Sequence, residues 1–315
     1  MTTRGRYVPA HAGCSLILLA AACGEGAGLQ SASGAGGGVT AASSTSTSGA
    51  AQGTGGAAQG AGGAAQGAGG AGGDVPLERF SFFITSLAAM QQLSQSQLGF
   101  GGDLRFGESG PGAGLRGADK ICATIAETSM PGSAKKQWRA FLSAAAGEDG
   151  QPVDAIDRIG AGPWYDRLGR LVASTKGDLL HDRPEGADPA IEDDLPNETG
   201  APNSQPDPTK PKDDNHHTMT GSTPAGTLYD AMKTCLDWTA AKGEPMTEGK
   251  PRMGLAYPRA GVPPSSSSMN WMSALTGPGC APGVSLVQGP APKPEDVDVG
   301  TGGGYGAIYC FALTP

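Results

Sequence analysis

Leu115-Arg116-Gly117-Ala118-Asp119-Lys120-Ile121-Cys122 reads as a turn running into an amphipathic helix. Over Ala118–Glu127 the residues Ile121, Cys122 and Ile125 share one helical face, and Met130-Pro131-Gly132 stops the pattern. A cysteine on such a helix can be stapled to something distant. At the far end of the chain, Tyr305-Gly306-Ala307-Ile308-Tyr309-Cys310-Phe311-Ala312-Leu313 alternates like a buried last strand. If Cys122 bonds Cys310, the chain between them is one closed domain, and everything before about Val75 serves delivery and spacing.

On the N-terminal side of this helix, Phe80-Ser81-Phe82-Phe83-Ile84-Thr85-Ser86-Leu87 is rich in strand formers, and a Gly-rich connection runs from Gly99 to Gly114. On the other side, Ser133 caps an expected second helix with Trp138, Phe141 and Leu142 at i, i+3 and i+4 and Gly147 past its end. Ala155–Ile159 and Trp164–Ala173 read as short extended pieces around Leu168-Gly169, and Thr234–Thr239 and Met269–Met272 as further short strands. A strand, two helices and then short strands with long loops is an α+β pattern.

The chain has 315 residues, of which about 240 look foldable, which is one domain with a large loop insertion. Net charge is −8; without residues 1–22, which hold Arg4 and Arg6, 20 basic residues face 30 acidic ones, or −10. An acidic surface argues against nucleic acid and polyanions, whose phosphates require a clustered basic face.

Residues 1–22 read as an export signal: Arg4 and Arg6 precede a short apolar run, Ser15 to Ala22, too short for a membrane-spanning helix. Leu19-Ala20-Ala21-Ala22-Cys23 resembles a bacterial lipobox, with Ala20 where that motif prefers Leu. On this reading Cys23 carries a lipid, and the chain is anchored to the bacterial outer membrane or cell surface; the alternative is plain cleavage after Ala22. Residues 23–75 form the next segment; from 24 to about 73 they are Gly, Ala, Ser, Thr and Gln with almost no charge or apolar bulk, and Gly-Ala-Ala-Gln-Gly recurs from Gly49, Gly56 and Gly63 with a period of seven. Lacking large apolar a and d residues, this is no coiled coil but a tether, with a reach of about 35–42 Å.

Cys122, Cys235, Cys280 and Cys310 remain after processing, an even set that implies disulfides in an exported domain; spacing alone leaves three pairings open. None forms a C-x-x-C pair, which argues against zinc or redox chemistry.

Gly114-Leu-Arg-Gly-Ala-Asp-x-x-Cys122, Trp138-Arg-Ala-Phe-Leu-Ser143, Cys235-x-x-Trp238 and the ending Tyr309-Cys-Phe311 resemble the endostatin domain of collagens and bacterial surface lipoproteins of the same C-type-lectin-like fold. The resemblance spans about residues 78–315 and is strongest at 114–143. It implies a disulfide-stapled α+β domain over 76–315 with two helices, short antiparallel strands and long loops. It also implies nested bridges, Cys122–Cys310 outside and Cys235–Cys280 inside. Endostatin's N-terminal zinc histidines have no counterpart between Asp74 and Leu180, and its arginine-rich heparin face is not matched by this acidic chain. Neither activity carries over.

The long loop 181–226 opens with His181–His217, where ten carboxylates against Arg183, Lys210 and Lys212 give −7 in 37 residues. The favoured reading is a solvated acidic loop. The alternative is calcium, which takes six to eight oxygens, drawn from Asp193, Asp194, Glu198, Asp207, Asp213 and Asp214. Gln205-Pro206-Asp207 matches the galactose-type calcium motif of C-type lectins, while its companion Trp-Asn-Asp is absent. The candidate ligand-binding residues are therefore Gln205, Asp207, Glu198 and Trp164, the tryptophan expected to be partly exposed. His216-His217 reads as a polar turn rather than a metal site. Nucleophile, zinc-protease and Walker motifs are absent from the sequence, and Asp154 with Asp157 is weak support for glycosidase chemistry. These observations lead to a lipid-anchored, surface-displayed, non-catalytic binding module for a protein or glycan. The alternatives are a calcium-dependent galactose-type lectin, a secreted hydrolase built on Asp154, Asp157 and a loop histidine (His181, His216 or His217), and a structural envelope component.

Overall fold

The computed structural model describes residues 76–203, 215–258, 267–287 and 292–314. The signal segment, Cys23, the tether, Gln205, Asp207, Asp213 and Asp214 lie outside them. Among the described residues, no helix is long and apolar enough to cross a membrane. The strands in chain order are β1 (Phe82–Ile84), β2 (Trp138–Ala140), β3 (Trp164–Tyr165), β4 (Leu171–Ala173), β5 (His217–Met219), β6 (Arg252–Leu255), β7 (Leu275–Thr276) and β8 (Gly304–Ala312). Among the described residues, two helices exceed one turn, α1 (Leu87–Ser94) and α2 (Ala113–Ser129). The protein is thus a mixed α and β domain with few helices and small sheets.

Strand β8 organises the sheet because every one of its nine residues is buried. One edge pairs antiparallel with β1, setting Phe82 opposite Phe311 and Ile84 opposite Tyr309. The other edge is shared. Its first half pairs in parallel with β5, Met219 opposite Ile308, and its end pairs antiparallel with β2, Ala140 opposite Cys310. The sheet continues from β5 through β6 to β7, while β3 and β4 form a separate hairpin. The expectation of antiparallel strands is corrected at β5–β8. A long excursion separates the two in the chain, so no tight turn dictates their direction.

Alternation along β8 builds two layers, since successive side chains leave a strand on opposite faces. Phe311 packs on Phe82, Phe141 and Trp164 at ring-centroid distances of 4.9, 5.7 and 5.3 Å, and Tyr309 on Trp271 at 5.0 Å. Cys310 points the other way, to α2, where it bonds Cys122. Cys235 bonds Cys280. These are the two bridges that the resemblance implied.

Five expectations about local structure are corrected. Ser133–Lys136 forms only a single 3-10 turn, after which the expected second helix is replaced by β2. Gln137 turns left-handed at φ 57°, and Trp138–Ala140 zips onto the open edge of β8, gaining ladder hydrogen bonds that outweigh a helical spacing of apolar residues. The run Phe80–Leu87, read as strand, holds its strand only over Phe82–Ile84, and its last residue Leu87 opens α1, where the Ser86 hydroxyl accepts the Ala89 N–H. Ala155–Arg158 is one turn of helix rather than extended. Cys235–Trp238, read as a strand, is a left-handed turn with φ of 49°, 51°, 52° and 65°, and Ser267–Met269 opens the last strand candidate as a 3-10 turn.

The Gly-Ala-Asp motif acquires a physical role in α2. Asp119 accepts the Ala140 N–H of β2 at 2.9 Å and two bonds from Arg158 at 2.7 and 2.8 Å, with the Arg139 Nε at 3.6 Å. Burial pushes its carboxyl up, against the pull of both guanidiniums and the amide. One carboxylate thereby joins α2, β2 and the Ala155–Arg158 turn.

Candidate functional site

The acidic segment is built into the domain instead of standing in solvent. Ile191 and Leu195 are fully buried, and the Ile84 N–H donates to Pro196 O at 2.9 Å, so residues 196–197 run along the free edge of β1. Arg183, nearly buried, donates to Leu255 O at 2.6 Å and pins the segment to β6. The reading of a wholly solvated loop is corrected for residues 183–203. Its apolar residues Ile191, Leu195 and Pro196 are enough to seat it on the sheet.

Seating the segment places it against the start of α1. Glu198 is buried; its Oε1 accepts the Ser86 hydroxyl at 2.5 Å and its Oε2 the Ser86 N–H at 2.9 Å. Asn197 Oδ1 accepts the N–H and hydroxyl of Thr199 at 2.9 and 2.7 Å. Asp194 accepts the Asn203 N–H at 2.9 Å. Asn203 and Asn215 then face each other: each side-chain amide donates to the other's backbone carbonyl, at 3.2 and 3.0 Å. The Tyr257 hydroxyl donates to Asn215 Oδ1 at 2.7 Å, and the Tyr305 hydroxyl lies 2.8 Å from Thr85 O and 3.3 Å from Asn203 Oδ1. Burial pushes the Tyr305 phenol well above the ordinary range, so it stays a neutral donor.

These groups line an open cavity of about 420 Å³. Its polar wall is Ser86, Asn197, Thr199, Asn203, Asn215 and Tyr305, and its apolar patches come from Leu87 and Leu286. Among the described residues, no charged side chain lines it. In a chain of net charge −8, an uncharged wall of amides and hydroxyls suits a neutral ligand with many hydroxyl or amide groups. A second cleft of about 470 Å³ carries Arg116, Arg139 and Arg158, each within 4 Å of a carboxylate of the same wall, Asp119 or Glu148. Arg116 donates to Pro111 O and Ser109 O at 2.5 and 2.7 Å, and Arg158 holds Asp119.

Of the residues singled out in the sequence, Glu198 and Asp194 stand at this cavity's frame with oxygens turned onto the chain's own N–H groups. Asp193 points outward, its carboxylate 3.9 Å from Arg183 Nε. Among the described residues, no three His, Cys, Asp or Glu side chains converge as a metal site. Trp164 is corrected: it is 1% exposed, packed on Phe311, because the β3–β4 hairpin folds over the aromatic layer. The polar turn expected at His216-His217 is also corrected. Both rings are buried 4.7 Å apart, and His217 begins β5. Asp154 accepts the Leu228 N–H at 2.7 Å, and His181 pairs with Glu185 at 2.8 Å. Asn203, Asn215, Thr199 and Tyr305 escaped the reading of the sequence. The only signal was a pair of asparagines bracketing a Pro- and Asp-rich run. No protein-family model matches the chain, and it matches no curated protein.

Proposed function

We propose that this chain is a lipid-anchored, surface-displayed, non-catalytic binding module of C-type-lectin-like, endostatin-type fold, and that its ligand is a neutral glycan. The fold reading is supported by pairing of the first and last strands, by α2 stapled to β8, and by the second bridge nested inside the first. Anchoring and display rest on the Leu19–Cys23 run and the tether that follows it. The observation that carries the ligand is the amide and hydroxyl wall, uncharged among the described residues, of the cavity between α1 and the 197–203 segment. A sugar ring presents alternating hydroxyls for such groups and an apolar face for Leu87 and Leu286.

A calcium-dependent galactose-type lectin would call on Gln205 and Asp207, outside the described residues, and on Glu198, both of whose oxygens are held by Ser86. The test is retention of the full chain on a panel of immobilised neutral and acidic glycans, with and without EDTA. The expected result is retention on a neutral glycan that survives EDTA and is lost in Ala201→Trp, which fills the cavity. EDTA-sensitive retention would move the assignment to the calcium form. Retention by no glycan would turn the assignment to a protein partner.

A further inference from the structure

A second cavity adjoins the polar one. It holds about 250 Å³ in the groove between α1 and α2, and its wall is mainly apolar: Ala88, Ala89 and Leu93 from α1, and Ile125 from α2. Ala88 and Thr199 line both cavities, so they form the ridge between them. The α1 sequence Leu87-Ala88-Ala89-Met90-Gln91-Gln92-Leu93-Ser94 contains five apolar residues, yet only Met90 is fully buried. Leu87 opens to the polar cavity, Ala89 and Leu93 to the apolar groove, and Ala88 to both. Leu87, Ala89 and Leu93 pack against the core with part of their surface; the part left over faces two neighbouring hollows of opposite character.

Resting on the glycan reading above, we infer that the ligand is an amphipathic glycoside: a neutral sugar in the Asn203–Asn215 cavity, bearing a short alkyl or acyl substituent that crosses the Ala88–Thr199 ridge into the α1–α2 groove. The uncharged sugar head matches the amide wall. The tail removes apolar surface from water against Ala89, Leu93 and Ile125. Among the described residues, no charged side chain stands on the ridge to oppose its passage. Glu198, at the rim of the groove, turns both its oxygens to Ser86.

The test measures binding of matched methyl and n-octyl β-glycosides of glucose, galactose and N-acetylglucosamine to the full chain, below the micellar concentration, by calorimetry. For at least one sugar the octyl glycoside is expected to bind about tenfold or more tightly than its methyl partner. Thr128→Trp, at an exposed position of α2, fills the groove and is expected to remove that gain while leaving the methyl glycoside unchanged. Gln92→Trp on α1 serves the same purpose if the first variant melts abnormally. Equal binding of methyl and octyl forms would overturn the inference and leave the glycan reading intact. No binding of any glycoside would overturn both. Octyl binding that ignores the sugar and survives both variants would mark adventitious detergent association and overturn the inference.

Discussion

Gly117 has no room for a side chain. A Cβ there would sit inside van der Waals contact of the Arg105 and Leu104 carbonyl oxygens, and one at Gly114 would strike the Asp237 carbonyl. The two glycines of Gly-Leu-Arg-Gly are therefore the places where flanking backbone lies directly on α2. Gly117→Ala is expected to destabilise by about 1–3 kcal/mol despite alanine's better helix propensity, because backbone must move. Urea unfolding checks this, and a stabilised variant would refute the packing. The left-handed turn Cys235–Trp238 stores cost of the opposite kind, about 1–2 kcal/mol for each L-residue. It is held by the bridge to Cys280, by Asp237 accepting the Ala145 and Ala146 N–H groups at 2.6 and 3.1 Å, and by the Trp238 indole donating to Ser143 O at 2.8 Å. Leu236, half exposed at φ 51°, contributes least to that hold. Leu236→Gly should relieve its strain and raise stability by about 1 kcal/mol, read as a higher urea midpoint with an unchanged slope.

At the scale of elements, α2 was legible and β2 was not. The face carrying Ile121, Cys122 and Ile125 is buried as its periodicity implies. Trp138, Phe141 and Leu142 have helical spacing too, but which pattern prevails depends on whether a strand edge is waiting, and β8 lies about 170 residues further on. The end of α2 is braced by Glu127, whose carboxylate accepts the N–H groups of Ala134 and Gly132 at 2.9 Å. Those donors hold its pKa below the usual carboxylate range. A depressed folded pKa contributes stability that is present above the unfolded value, about 4.3, and lost as pH falls through the folded one. Glu127→Gln should accordingly lower the melting temperature at pH 7, and the gap should close in acid below about pH 4. A gap independent of pH would assign the loss to something other than the charge.

For the whole molecule, the two bridges close loops of very different size, with sequence separations of 188 and 45. Removing either is expected to cost about 2–5 kcal/mol, and chain entropy alone makes the outer one worth about 1 kcal/mol more. Comparing Cys122→Ser/Cys310→Ser with Cys235→Ser/Cys280→Ser by urea denaturation tests the order. A larger loss from the inner pair would mean that its hold on the left-handed turn outweighs the loop it closes.

The residues themselves determined the α2 face, the buried last strand and the acidic composition of the long segment, because each depends on local period or on counting. An even set of four cysteines was equally plain, although their pairing came from the resemblance and not from spacing. Only the tertiary structure decided where the acidic segment goes and what it makes. Its buried Ile191 and Leu195 and its pairing with β1 bring Asn203 and Asn215 together beside Tyr305, about 90 residues further along the chain. A cavity wall drawn from α1, the 197–203 segment, Asn215, Leu286 and β8 has no sequence period, since the groups that form it are neighbours only once the sheet has closed.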